Sequence, residues 1–262
     1  MSERYSRQII IPQIGIEGQK KISRSSVFVA GVGGLGSPIL TYLAAAGVGR
    51  LGFIDDDIVA VSNLNRQFLH NAADTGRAKT ESAKEKLSAL NDTIEINAVC
   101  ERLTQENAAD IFSGYDIVLG AVDSFDARFI INKACVSLCI PYIDGGINGF
   151  SGCVMFSSPP DTPCFNCVFP VKSAKKEAAG ALGTTAGITG TIEANTALLY
   201  MLGLPIPLEN KLLIYNGLTT GIEYIDIKRN EKCETCGIKQ ERADTSVFEH
   251  HQNNKKEIRK RK

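Results

Sequence analysis

The stretch SVFVAGVGGLGSPILTYLAAAGVGRLGFIDDD, residues 26–57, decides the fold. Its first five residues are apolar and lead into a glycine turn, Gly31–Gly36. Residues 35–46 then follow with a helical pattern rich in alanine, and residues 51–54 form a second apolar run that ends in Asp55-Asp56-Asp57. Strand, turn, helix and strand make a βαβ unit. The sequence therefore predicts a parallel sheet with a right-handed crossover.

The glycine turn predicts a nucleotide site. Its glycines would allow a tight turn whose backbone N–H groups, at the start of a helix, approach a phosphate or a ribose: Gly31, Gly33, Gly34 and Gly36. Asp55 follows the turn by about 20 residues, at the end of the next strand, where a carboxylate accepts ribose hydroxyls. Asp56 is expected to be an exposed loop carboxylate. This pattern alone does not distinguish NAD from ATP.

The residues after the second strand favour ATP. Asn63, Arg66 and Gln67 come soon after the three aspartates, and Lys79 lies further on. Arg66, as a planar fork, and Lys79, as a point charge, can converge on a triphosphate, whereas a nicotinamide enzyme needs no such cluster.

Asp123 is a candidate metal ligand, because it ends a predicted strand at 116–121. Open parallel sheets bind ligands at the carboxyl ends of their strands, where a carboxylate can hold Mg²⁺ on substrate phosphates. Asp126 is expected to cap the helix that follows.

Beyond the βαβ unit, the patterns predict an α/β fold with a Rossmann-like, mostly parallel sheet that antiparallel strands extend. The remaining predicted helices cover residues 75–90, 104–112 (with Thr104 as its cap), 125–138 and 185–202. The remaining predicted strands cover residues 94–99, 116–121, 142–144, 152–157, 211–216 and 221–228. Residues 172–183 are small and polar and are expected to form a mobile loop.

Two CxxC pairs lie far apart in the chain, Cys164/Cys167 and Cys233/Cys236. In a reducing compartment such pairs are metal ligands rather than disulfides, and four thiolates make a closed tetrahedral zinc site that does no chemistry. This site would hold the C-terminal segment onto the domain. The other cysteines are expected to be small core residues: Cys100, Cys135, Cys139 and Cys153.

Composition excludes several classes of protein. The 262 residues include 29 basic and 29 acidic side chains, so no net field attracts nucleic acid or a membrane. No apolar run reaches the roughly 18 residues of a spanning helix, and no signal peptide is evident, which favours the cytoplasm. None of the three histidines, His70, His250 and His251, has a catalytic-looking context. The expected organisation is one domain over residues 1–240, with residues 1–25 as an N-terminal arm, and a polar, basic, disordered tail over 241–262.

Taken in order, these motifs resemble the ThiF/MoeB/HesA family, bacterial and archaeal relatives of ubiquitin-activating enzymes. The resemblance covers roughly residues 3–237. It rests on RYSRQ at residues 4–8, GVGGLG at 31–36, Asp55-x-Asp57, SNLNRQ at 62–67, Lys79, Asp123, PCxxC at 163–167 and CxxCG at 233–237.

The resemblance implies a homodimer of single-domain subunits that adenylates a carboxylate with Mg·ATP. Its expected substrate is the C-terminal carboxylate of a ubiquitin-like sulfur-carrier protein of the ThiS/MoaD type, with release of pyrophosphate. By motif position Asp55 would bind ribose, Asp123 would serve the metal, and Arg7 would reach into the partner subunit's ATP site. The phosphates would be held by Asn63, Arg66 and Lys79, and the nucleotide site would also include Asp57, Ser62 and Gln67. The expected cofactors are ATP, Mg²⁺ and structural Zn²⁺.

Three positions depart from the family pattern. Many relatives carry a cysteine in the loop before the long helix, where this chain has Lys176, and it has Thr184 and Glu193 where proline and glutamine are common. Sulfur transfer through an enzyme thiol is therefore not expected, whereas adenylation is. A small-molecule or peptide carboxylate is an alternative substrate.

Two other classes remain open. An NAD-dependent oxidoreductase would leave Arg66, Lys79 and the cysteine pairs without a role. A catalytically dead dimeric scaffold would not need its intact Arg7, Arg66, Lys79 and Asp123.

Overall fold

The protein is a three-layer α/β domain, described by a computed structural model over residues 3–170 and 180–237. One eight-stranded sheet has the order β3-β2-β1-β4-β5-β6-β7-β8, parallel through β5 and antiparallel from β5 to β8. The predicted fold class is confirmed. The strands are β1 Ser26–Ala30, β2 Arg50–Ile54, β3 Glu95–Val99, β4 Ile117–Gly120, β5 Tyr142–Asn148, β6 Ser151–Ser157, β7 Lys211–Asn216 and β8 Gly221–Asp226.

Helices cover both faces of the sheet. Successive side chains along β1 point to opposite faces, and those on both faces are apolar. Val27 and Val29 pack in the core beneath α3 and α8, while Phe28 and Ala30 pack in the core beneath α5 and α6. No helix within the described residues is long and apolar enough to cross a membrane. The helices are α1 Ser6–Ile9, α2 Gly15–Arg24, α3 Gly36–Ala46, α4 Lys79–Leu90, α5 Ala108–Phe112, α6 Phe125–Leu138, α7 Phe165–Val168 and α8 Gly183–Leu202.

Several predicted boundaries are wrong, and each error has a local cause. The helix predicted from residue 75 begins at Lys79, because Gly76 and Arg77 form backbone hydrogen bonds with Val59 instead. The helix predicted from Thr104 begins at Ala108, since the Asn107 side chain accepts from the Thr104 N–H and holds a turn there. The strand predicted over 142–144 runs on to Asn148, because both glycines at its centre pair with β6.

The N-terminal arm contains two helices that the sequence patterns did not reveal, α1 and α2. Both pack near the amino-terminal ends of the parallel strands. Gln19 donates to the Ala46 carbonyl at the end of α3, and the Tyr5 hydroxyl accepts from Asn91 just after α4. The predicted tail and most of the predicted loop at 172–183 lie outside the described residues, but Gly183 already belongs to α8.

Candidate functional site

The glycine turn links the carboxyl end of β1 to α3, and its glycines serve two purposes. Gly31 has φ of 103°, and a Cβ there would lie 2.5 Å from the Ala121 carbonyl oxygen, so only glycine fits. Gly36 is equally crowded, by the Gly31 carbonyl. At Gly33 and Gly34 a Cβ would meet only side chains, at 3.3 Å or more, so these two glycines let Arg66, Gln67 and Ala186 approach the turn closely.

Asp55 ties the turn to the end of β2. Its Oδ2 accepts from the Val32 N–H at 2.8 Å and its Oδ1 accepts from the Asp57 N–H at 2.9 Å. A carboxylate offers about four acceptor positions, so two remain for a ligand. The glycine turn and the Asp55 carboxylate therefore lie next to each other, as the sequence predicts.

Lys79 is brought to the same place by the start of α4. Its ammonium lies 2.8 Å from Asp57 Oδ2 and 3.9 Å from Asp55 Oδ1, and its side chain is only 6% exposed. Asp57 is 69% exposed, whereas Asp55 is 11% exposed. A solvated helix lysine would not be held in this way, so the surroundings of Lys79 favour a ligand-binding role.

The segment 60–67 folds back over the turn. Arg66 donates to the Ser62 carbonyl at 3.0 Å and to Asn65 Oδ1 at 2.9 Å, and its aliphatic stem would touch a Cβ at Gly34. Asn63 uses its side-chain oxygen to accept from the Ala60 N–H, which leaves its NH₂ group for other partners.

Ser62 and Gln67 flank Arg66 in different environments. Ser62 is exposed, whereas Gln67 is buried with its side-chain nitrogen facing Gly33. The Gln67 Oε1 atom has no hydrogen-bond partner among the described residues. A buried acceptor without a partner next to the turn is a place where a ligand donor would be stabilised.

Asp123 lies three residues beyond the end of β4, at the same edge of the sheet, and is exposed. Its carboxylate forms no hydrogen bond or ion pair with any described residue. The prediction that Asp126 caps α6 is wrong, because the Ser124 hydroxyl accepts from the Ala127 N–H and is the N-cap. Asp126 instead lies exposed in the first turn of the helix.

Arg7 does not reach the glycine turn of its own chain. It is exposed on α1, and the neighbouring Gln8 donates to Ala46 at the far end of α3. Because α3 starts in the turn and runs for 11 residues, this end lies about 16 Å from the turn.

The N-terminal half of α8 packs against the glycine turn and against the segment 60–67. A Cβ at Gly183 would meet the Asn65 carbonyl, and a Cβ at Gly190 would meet the Leu35 carbonyl. Gly149, at the tip of the β5–β6 hairpin, donates to the Gly180 carbonyl just before α8. The antiparallel half of the sheet thus borders the same site.

The four cysteines of the CxxC pairs come together, as predicted. Their sulfur atoms lie within 4.8 Å of one another, with 3.9 Å between Cys164 and Cys167, 3.7 Å between Cys164 and Cys233, and 3.4 Å between Cys167 and Cys236. The cysteines form one buried cluster with Val136, near the end of α6 that is remote from Asp123. The cluster can therefore hold a metal ion away from the glycine turn.

The other cysteines divide. Cys135 is buried as expected, and Cys139 and Cys153 are half-buried. The expectation for Cys100 is wrong: it is exposed, because β3 ends at Val99.

A group of polar residues behind the turn escaped the sequence patterns. His70 contacts the Val32 carbonyl through Nε2 at 3.2 Å and the Ser82 hydroxyl through Nδ1 at 2.8 Å. Lys86 donates to Ser82 at 2.8 Å and to Asp74 at 2.5 Å. We call His70, Asp74, Ser82 and Lys86, together with the predicted Asp55, the turn cluster. The only sequence signal was the position of His70 three residues after Gln67.

A second buried polar group, the strand cluster, consists of Arg128, Tyr142, Asp144 and Glu193. The Tyr142 hydroxyl donates to Asp144 at 2.5 Å, and Arg128 lies 3.4 Å from the same carboxylate. Glu193 is fully buried on the opposite face of β5, and neither of its carboxyl oxygens has a hydrogen-bond partner among the described residues. Burial, followed by the charge of Asp144, raises the pKa of Glu193 well above its ordinary value and so favours the neutral, protonated form of this side chain.

Comparison with known proteins decides the family. The model described as the ThiF family matches residues 5–235. This chain belongs to the ThiF family. The resemblance found in the motifs is thereby confirmed.

Two relatives of this chain have names that describe related activities. A sulfur carrier protein adenylyltransferase of Thermus thermophilus is 41% identical over 247 residues, which cover 90% of each chain. An adenylyltransferase and sulfurtransferase MOCS3 of Arabidopsis thaliana is 36% identical over 240 residues, 89% of this chain and 52% of that protein. The chain thus spans about half the length of the MOCS3 relatives that it matches.

Solved structures show the same fold. The crystal structure of E. coli MccB with MccA-N7isoASN has a TM-score of 0.81 at 23% identity and covers 90% of this chain and 74% of that chain. At this identity the likeness shows the ThiF-type fold alone.

Proposed function

We propose that this chain is an ATP-dependent adenylyltransferase that activates the C-terminal carboxylate of a ubiquitin-like sulfur-carrier protein. The observation that carries the proposal is the convergence of Lys79 and Arg66 on the glycine turn. The Lys79 ammonium lies 3.9 Å from Asp55, which holds the turn, and Arg66 lies against Gly34. An NAD site needs no such pair of phosphate-facing cations. Membership of the ThiF family and the name of the Thermus relative support the same reaction.

This reaction requires neutralisation of charge rather than proton transfer. A C-terminal carboxyl group has a pKa of about 3.5, so at neutral pH it is already a nucleophile and needs no general base. One carboxylate oxygen forms a bond to the α-phosphorus of ATP while the bond from that phosphorus to the bridging oxygen breaks. Pyrophosphate leaves with the electron pair. Cations already in place lower the barrier to bringing an anion up to a polyanion.

Each nucleotide-binding residue has a role that its present contacts allow. Asp55 has acceptor positions left for ribose hydroxyls, and because Gly33 and Gly34 carry no side chain, a phosphate could approach the backbone N–H groups of the turn. Arg66 and the free NH₂ group of Asn63 would contact the phosphates. In the same site Ser62 and Gln67 would supply further polar contacts.

Lys79 would exchange partners when ATP binds. Its present partner Asp57 is largely exposed, and ion pairs with a solvent-exposed group are worth little, so a phosphate can replace it at small expense. Asp57 would then be released towards the bound nucleotide.

Asp123 fits the magnesium ion that Mg·ATP would bring. Mg²⁺ keeps several waters and is held by one or two carboxylates together with substrate phosphates, which suits an exposed carboxylate without protein partners. When bound, such an ion neutralises charge on the phosphates. Asp123 would fix its position at the carboxyl end of β4.

The cysteine cluster fits Zn²⁺. Tetrahedral geometry with Zn–S bonds of about 2.3 Å places sulfur atoms about 3.8 Å apart; here three of the six sulfur pairs are separated by 3.4–3.9 Å, and all six lie within 4.8 Å. With four cysteines no position stays open, so the ion would be structural. It would join α7 to the segment after β8.

We further propose a homodimer in which Arg7 enters the ATP site of a second copy. Arg7 is remote from its own turn, and it is flanked by the exposed apolar side chains of Ile10 and Ile11. Complementation tests this: Arg7→Ala and Arg66→Ala chains, each inactive alone, should regain activity when refolded together, because a mixed dimer has one intact site. No recovery from a mixture shown to contain mixed dimers would refute the shared site.

The adenylation itself is tested by pyrophosphate exchange. Wild-type chain with Mg·ATP and a carrier protein ending in Gly-Gly should return labelled pyrophosphate to ATP, and a carrier lacking its last glycine should not support it. Arg66→Ala and Lys79→Ala should reduce exchange at least about 100-fold, as expected for loss of charged contacts, whereas Lys84→Ala, on the exposed side of α4, should not. No exchange with any carrier or small acid, together with tight NAD binding, would refute the proposal.

The zinc site has its own test. Metal analysis should find about one zinc ion per chain, lost in Cys236→Ser and kept in the matched Cys100→Ser variant, whose cysteine is exposed. Equal metal content in the two variants would rule the assignment out.

A further inference from the structure

Val32, in the middle of the glycine turn, has both of its backbone polar groups held by side chains. Its N–H donates to Asp55 at 2.8 Å, and its carbonyl oxygen lies 3.2 Å from His70 Nε2. The residue itself is fully buried. Asp55 holds the turn from the end of β2, and His70 holds it from the segment between β2 and α4.

The hydrogen bond to Val32 decides the state of His70. A carbonyl oxygen only accepts, so Nε2 carries the proton and Nδ1 must accept from the Ser82 hydroxyl. Burial lowers the pKa of His70, and the nearby Lys86 and Lys79 charges lower it further, against the opposing effects of Val32 and Asp74. The ring is therefore neutral, with one tautomer, at neutral pH.

The contacts behind His70 fix the ring in turn. Ser82 donates to His70 and accepts from Lys86, which also binds Asp74. Asp74 accepts from the Asn71 N–H as well, so the chain of hydrogen bonds ends on backbone. The ring cannot rotate without breaking contacts at both of its nitrogen atoms.

We propose that His70 is a positioning residue for the nucleotide step: its Nε2–H holds the Val32 carbonyl so that the backbone of the turn is preorganised for ATP. The inference rests on the adenylyltransferase function proposed above. His70 touches no substrate; it acts through Val32. Without it the carbonyl would lose its buried partner, and the turn would have to be ordered when ATP binds.

Two variants separate positioning from mere packing. His70→Gln keeps a donor near the Nε2 position, while His70→Asn places its amide near Nδ1 and leaves Val32 without a partner. Both remove the ring and should lower the melting temperature alike. In the exchange assay His70→Asn should raise KM for ATP about tenfold, as loss of one buried hydrogen bond implies, with kcat within about twofold, and His70→Gln should stay near wild type.

The outcomes separate the two proposals. Equal KM values for the two variants, or an unchanged KM in His70→Asn, would overturn the role of His70 even if wild type is active. Direct calorimetric binding of Mg·ATP gives the same comparison if wild type shows no exchange, in which case the proposed function fails while the positioning of the turn is still measured. A wild-type chain that binds no ATP overturns both.

Discussion

In the turn cluster every buried polar group has a partner, whereas in the strand cluster the Glu193 carboxyl has none among the described residues. Paired groups stay charged or keep one tautomer, and they fix the backbone that they bind. A buried group without a partner is expensive to ionise, so it keeps its proton instead. The two clusters therefore respond to pH in opposite directions.

The largest effect is expected at Asp55, which belongs to the turn cluster and is also the proposed ribose ligand. Asp55→Ala removes a carboxylate that holds two backbone N–H groups and is proposed to bind ribose. Each hydrogen bond to a charged group contributes about 1.5–3 kcal/mol, so kcat/KM in pyrophosphate exchange should fall by about 100-fold or more. Asp56→Ala, an exposed neighbour, is the control. Similar activity in both variants would mean that the turn does not depend on this anchor.

A smaller effect is expected at Asp74. Burial alone would raise the pKa of this carboxyl, but its hydrogen bond to Lys86 and the Asn71 N–H hold it at about 2. Because the pKa is lowered from an ordinary 3.8, the stabilisation is present above that pH and is lost as the pH falls towards 2. Asp74→Asn should lower the free energy of unfolding by about 2 kcal/mol at pH 7.

Urea unfolding at several pH values measures this contribution. The difference between Asp74→Asn and wild type should shrink as the pH falls through 4. Glu85→Gln, which removes an exposed partner of Arg77, should change stability much less. A deficit that does not depend on pH would show that Asp74 acts through packing and not through its charge.

An effect with the opposite dependence on pH is expected at Glu193. Its pKa is raised, so above the ordinary value of 4.5 the folded protein keeps a proton that the unfolded chain loses, and stability falls as the pH rises. Glu193→Gln cannot ionise. Its free energy of unfolding should match wild type near pH 4 and exceed it by a margin that grows towards pH 8, because each unit by which the folded pKa is raised corresponds to about 1.4 kcal/mol.

The matched control is Glu209→Gln, since Glu209 is exposed just before β7. This variant should follow the wild-type curve. If Glu193→Gln also follows it at every pH from 4 to 8, Glu193 has a partner that keeps it charged, and the contrast between the clusters disappears.

The parts of the fold that follow from local pattern were predictable. One continuous stretch of sequence contains β1, the glycine turn, α3 and β2. The CxxC spacing marks the two cysteine pairs as candidate metal ligands. The short helices of the arm, α1 and α2, were missed because each is stabilised by contacts with the distant ends of α3, α4 and α8. Similarly, β5 continues through Gly145 and Gly146 only because β6 pairs with it.

The site divides in the same way. Asp55 and Lys79 were recognisable because motif order places them after known elements, and they do lie beside the turn. The role of His70 was not predictable, because its contact with Val32 joins residues 38 positions apart in the chain. No local sequence pattern marks a contact at that separation. Arg7 is not brought to the turn, and its role stays a prediction until a second copy of the chain is in place.

The Val32 N–H has a further consequence for how the site can be observed. The amide of a buried residue that donates to a carboxylate exchanges with deuterium only when that bond opens. Deuterium uptake at Val32 would therefore record how often the empty turn loosens, without any nucleotide or activity assay. The backbone amide of Val32 thus reports how well ordered the glycine turn is before a nucleotide binds.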